Sequence, residues 1–135
     1  MQDYKETEVW QRAKSLVLEA YRVTRSWPEA ERGLADDLRS SARAIAKSVP
    51  RLVGRFGRAG LLTFKMSLST VSDLEILCSV AVDLGIAEKG EFDRLTDLMQ
   101  QLKAEFLVLG KAAREKAQEQ RSKLMGLNWF DDDEE

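Results

Sequence analysis

Leu34, Leu38, Ala42, Ile45, Val49, Leu52 and Phe56 follow one another at steps of four or three. That spacing keeps one apolar stripe along a single side of an α-helix. The opposite side of the same segment is cationic. Arg39, Arg43, Lys47, Arg51 and Arg55 recur every fourth residue. At about 100° per residue they climb the outer side of the helix as a ladder. The ladder lies in a window, residues 38–72, that holds no acidic residue and seven basic ones, Arg58 and Lys65 being the other two. Pro50 falls inside the stripe. It removes one backbone hydrogen bond and predicts a kink or interruption near residues 46–50. Gly54, Gly57 and Gly60 then predict a turn at 56–60.

Three more amphipathic segments flank this one. The first covers residues 5–25, with Val9, Trp10, Ala13, Leu16, Val17, Ala20, Tyr21 and Val23 on one face and Pro28 just beyond its end. The third covers residues 61–84, faced by Leu61, Phe64, Leu68, Val71, Leu74, Leu77, Cys78, Ala81 and Val82. Its small residues Ser67, Ser69, Thr70 and Ser72 permit close helix approach, and Gly85 reads as a C-cap. The fourth runs from 90 to 125, with Phe92, Leu95, Met99, Leu102, Phe106, Leu109 and Ala113 in register. From Lys111 to Lys123 it becomes charged, as expected of a part that projects past a bundle or frays. Four such helices with short connections predict an all-α fold, an antiparallel up-down-up-down four-helix bundle over residues 1–125. Residues 126–135 form an acidic tail.

Composition removes several functional classes. The chain has no histidine, so Ser-His-Asp and Cys-His catalysis and the Glu-x-x-His metal motif are impossible. The glycines at 54, 57 and 60 lack the Lys-Ser/Thr that a phosphate loop requires. The one cysteine, Cys78, reads as a core residue and cannot form an internal disulfide. No apolar run approaches the ~18 residues of a membrane span. The N-terminus does not read as a signal peptide, so the cytoplasm is the expected location and no membrane partner is expected. No catalytic residue, metal site or cofactor is predicted.

Several short stretches resemble one family. They are Val9-Trp10-Gln11-Arg12-Ala13, the connection from Pro28 to Gly33-Leu34, Leu38-Arg39, and the segment Ala44-Ile45-Ala46-Lys47-Ser48-Val49-Pro50-Arg51-Leu52-Val53-Gly54-Arg55. In the third helix they are Leu68-Ser69-Thr70-Val71-Ser72-Asp73-Leu74-Glu75 and Ala81-Val82-Asp83-Leu84-Gly85. In order and spacing they resemble the four-helix-bundle proteins related to the 23S rRNA intervening-sequence protein, over residues 3–112. The family's Asn and Glu in helix two are Ser48 and Arg51 here, and its Pro is displaced to Pro50. The resemblance implies a non-enzymatic bundle assembling as a ring, commonly a pentamer. The family is related to the accessory variability determinants of diversity-generating retroelements. Those are cationic pentamers that bind nucleic acid and a reverse transcriptase, which makes a reverse transcriptase an implied partner here.

The ladder has two readings: a solvated helix face, or a surface for an anionic partner. Like charges at i,i+4 repel by a few tenths of a kcal/mol per pair, so helix stability does not explain the arrangement. Arginines in this pattern suit RNA or DNA phosphates as bidentate donors. Arg39, Arg43, Lys47, Arg51, Arg55, Arg58 and Lys65 are therefore the candidate nucleic-acid residues. In the tail, Trp129 and Phe130 precede five acids and are candidate anchors for a protein partner. The whole chain carries a net charge of −2; without those five acids, 21 basic and 18 acidic residues leave +3. The tail therefore also reads as disorder aiding solubility, or as a cover for the ladder. The alternative function is a protein-interaction scaffold with no direct nucleic-acid binding.

Overall fold

The structure is a computed structural model that describes residues 3–54 and 57–127. Its helices are α1 (Glu8–Thr24), α2 (Arg32–Gly54), α3 (Gly57–Asp83) and α4 (Asp93–Leu127), with short 3₁₀ turns at Tyr4–Glu6, Glu29–Glu31 and Lys89–Phe92. There is no strand among the described residues. Each helix packs on its sequence neighbours and α1 packs on α4, which closes a square, while the α2–α4 diagonal barely touches. Cross-links fix the antiparallel order. The end of α1 meets the first half of α2 through Thr24 and Arg39. Arg12 of α1 pairs with Glu105 of α4, and Glu75 of α3 pairs with Lys103 of α4 at 3.0 Å. The expected four-helix bundle is the observed architecture.

Local chemistry sets the helix ends. The Thr7 side chain accepts from the Trp10 backbone N–H at 3.2 Å and so caps α1. Gly85, at φ +74°, ends α3. The Ile86 N–H reaches the Ala81 carbonyl and the Gly85 N–H reaches Val82, each at 3.0 Å, which is the Schellman pattern. The predicted C-cap is therefore in place.

The apolar stripes meet in one core. Leu16, Leu38, Ile45, Leu74, Leu95, Met99, Leu102 and Phe106 are fully buried, each burial stabilising the fold by about 1.5–3 kcal/mol. Ser67 shares this core because its hydroxyl donates back to the Thr63 carbonyl at 2.7 Å. Burial pushes the Glu105 carboxyl up, against the pull of Arg12.

Two expectations about the backbone need correction. Pro50 does not interrupt α2, which is continuous through it. Val49 and Leu52 on either side stay buried in the core, and that packing offsets the ~3 kcal/mol a helical proline costs. The turn expected at 56–60 does not take in residues 57–60, which are helical, because α3 begins at Gly57 and Gly60 is buried within it; residue 56 lies outside the described residues. At the other end, α4 continues to Leu127, and among its residues whose burial is described the last buried one is Ala113. The final turns project roughly 20 Å past the packed part of the helix.

Cys78 is buried beside Leu74 and Ala81 on the core side of α3. Burial, helped by Glu75, pushes its thiol up to about 12 from the ordinary 9.0. The folded state thus prefers the neutral thiol. Its contribution to stability is complete below pH 9 and is lost as pH rises from 9 toward 12. A thiol reagent at pH 8 is expected to label the native protein slowly and the urea-unfolded protein at once. Rapid native labelling would contradict the burial.

Candidate nucleic-acid interface

The ladder starts against α1. Arg39 is half-buried; its Nε donates to the Thr24 Oγ1 at 2.7 Å. Its guanidinium lies 4.7 Å from the centroid of the Tyr21 ring. The buried Thr24 hydroxyl in turn donates to the Ala20 carbonyl at 2.8 Å. Arg39 therefore braces α1 to α2 and satisfies a buried hydroxyl. One turn on, Arg43 is exposed and donates through Nη1 to the Tyr21 hydroxyl at 2.6 Å. This contact uses one of the five guanidinium donors. Lys47 and Arg51 are exposed. Among the described residues none of these four cations forms an ion pair.

Helix α1 adds two cations that its own sequence did not single out. Lys14 precedes Tyr21 by seven residues, two turns, so it shares the side of α1 that faces α2. The helices are antiparallel, so Lys14 lies about 10 Å along from Tyr21, level with Lys47 and Arg51. Arg25 follows Tyr21 by one turn and caps α1. Both are exposed and free of ion pairs among the described residues. Arg22, by contrast, forks onto Glu19 on the side of α1 turned toward α4. The cationic surface thus starts on the shared outer face of α1 and α2, with Lys14, Arg25 and Arg43 beside the Arg39 brace, and fans across α2 through Lys47 to Arg51, about 120° round the helix from Arg39. From Arg39 to Arg51 it spans roughly 18 Å, about five phosphate steps of one strand.

The structure does not bring every predicted residue to this face. Lys65 sits exposed on α3, within about 20° of Ile76 in helical projection, on the outer side of that helix. It belongs to a different helix from the ladder. Arg58 falls in the first turn of α3, a different helix from the ladder. Arg55, Trp129 and Phe130 lie outside the described residues. The aromatic residues are structural. Trp10 packs edge-on to Tyr4 at 5.1 Å, Trp27 edge-on to Phe92 at 6.4 Å, and Tyr21 is held between the two arginines. No stacking platform for unpaired bases is exposed among the described residues.

The family model for 23S rRNA-intervening sequence protein matches residues 5–107. The chain belongs to that family. The match covers α1, α2, α3 and more than a third of α4 and stops before the projecting turns. No curated protein matches the chain. No helix among the described residues is long and apolar enough to cross a membrane.

Proposed function

We propose that this chain is a non-enzymatic, self-associating helical bundle that binds the backbone of RNA or DNA through the outer face of α1 and α2. The observation that carries the reading is the run Arg43, Lys47 and Arg51, exposed, unpaired among the described residues and extended by Lys14. A nucleic-acid enzyme such as a reverse transcriptase is the partner that the family resemblance implies, and a ring, commonly of five, is the assembly it implies. The lack of histidine and of a glycine-rich phosphate loop supports a binding role over a catalytic one.

The test is binding of duplex and single-stranded RNA and DNA across a salt series. Four or five phosphate contacts predict a slope of log K against log salt near −4 for B-DNA. Affinity that ignores salt would refute the reading. The exposed apolar residues Leu62, Met66, Ile76 and Val80 of α3 favour a second reading, a protein-interaction scaffold. A pull-down insensitive to nuclease and lost on deleting residues 127–135 would support that one instead.

A further inference from the structure

The inner face of α4 runs on past the bundle. Its buried side, with Leu95, Leu102, Phe106 and Ala113, continues as Ala117 and Leu124. Leu124 stands five full turns past Phe106 and so shares its direction, yet it is 64% exposed. Arg121 and Arg114 lie about 60–80° to one side of it, Lys116 and Lys123 about 80–100° to the other. The acids of this stretch, Glu115 and Glu119, lie on the far side of the helix, where Glu119 accepts from Lys116 at 3.0 Å. Arg114, Arg121 and Lys123 are exposed and form no ion pair among the described residues. The projecting turns thus present an apolar line between two cationic edges.

We propose that the acidic tail folds back along this line, with Trp129 and Phe130 against Leu124 and the five acids between the arginine and lysine edges. Charge, length and position name the occupant. Asp131 to Glu135, extended, cover about 13 Å, and so do the helical residues from Arg114 to Lys123. Asn128, immediately after α4, is a residue type that takes the left-handed conformation at which helices end. Held straight out, the acids would instead face the negative end of the helix dipole. The α1–α2 ladder of the same chain is out of reach. Thr24 meets Arg39 and Arg12 meets Glu105, which puts Arg51 level with Arg12 and Glu105. Leu127 stands about 33 Å beyond that level. Asp133, the middle acid, reaches at most about 22 Å from Leu127. A tail docked on its own α4 leaves the ladder uncovered. The family match ends at residue 107, so both sides of this contact lie outside it, and the contact is compatible with a ring of any number.

The inference goes beyond the nucleic-acid reading and does not depend on it. Disulfide trapping in the full chain tests it. Gln120 and Gln118 are both exposed, but Gln120 lies about 40° from Leu124 and Gln118 about 120° away on the other side. Asp132→Cys with Gln120→Cys is expected to oxidise within one chain at least about tenfold faster than Asp132→Cys with Gln118→Cys, because docking raises the effective concentration on one side only. The native Cys78 is buried and stays out of the reaction. Arg121→Glu with Lys123→Glu, added to the fast pair, is expected to remove the advantage while circular dichroism stays unchanged. Equal rates for the two pairs, a fast rate that survives the charge reversal, or faster trapping of Asp132→Cys by Lys47→Cys on the ladder each overturn the docking. The trapping rates read the same whether or not the chain binds nucleic acid.

Discussion

Gly110→Leu is expected to cost the bundle more stability than any single surface change, and Gly110→Ala to cost less but in the same direction. Gly110 is buried on the α3-facing side of α4. A Cβ there would stand 2.4 Å from Cδ1, 2.5 Å from Cε1 and 2.6 Å from Cγ of Phe64. Those atoms belong to a rigid ring that is itself buried, so it cannot swing away as the end of a lysine could. Two effects compete for alanine. Helix propensity favours it over glycine by about 1 kcal/mol, while overpacking of a filled core costs about 1–3 kcal/mol. A contact this short on three ring atoms puts the cost at the upper end, so the net sign is destabilising. Leucine adds three more heavy atoms with nowhere to go. Thermal melts should fall by roughly 3–5 °C for each kcal/mol lost in a chain of this size. The decisive measurement is a double-mutant cycle with Phe64→Leu. If the clash is the cause, Gly110→Ala should be nearly neutral or favourable once the ring is gone, and the two changes will be strongly non-additive. Additive losses would place the penalty elsewhere.

The same glycine shows where sequence reading stops. The stripes of α2 and α4 predict helices and their inner faces from spacing alone, because burial of one face is what an amphipathic helix requires. Gly110 breaks no period, and its reason lies in Phe64, 46 positions away. Pro50 misleads in the opposite sense. Its local penalty is real, but tertiary packing of Val49 and Leu52 outweighs it. The ladder was legible as a face of one helix. That Arg39 is a brace, and that Lys14 and Arg25 belong to the surface, depends on which side of α1 meets α2, and periodicity within a helix carries no such information. The exposed apolar residues of α3 were present in the sequence as a second set, Leu62, Met66, Ile76 and Val80, displaced from the core set. A helix apolar on two opposite sides is the signal that could have found them.

Arg43→Glu with Arg51→Glu is expected to abolish nucleic-acid binding, and the choice of rungs matters. Each reversal removes one phosphate contact and adds one repulsion, so the pair changes the face by four charges. With a salt slope near −4 in the parent, loss of two contacts should halve the slope as well as the affinity's electrostatic part. A drop of 100-fold or more at moderate salt is the expected size, from about 1.5–3 kcal/mol per lost charge-assisted contact. Arg39→Ala should behave differently. It leaves the buried Thr24 hydroxyl without its donor and the Tyr21 ring without its cover, so it should lower the melting temperature while the salt slope barely moves. Lys65→Glu, on the outer side of α3, should leave both nearly unchanged, and Lys14→Glu should weaken binding although it lies on another helix. That ordering separates a defined cationic face from a merely basic protein. Net charge alone would make Lys65→Glu as harmful as any other single reversal, and such a result would remove the α1–α2 face from the account.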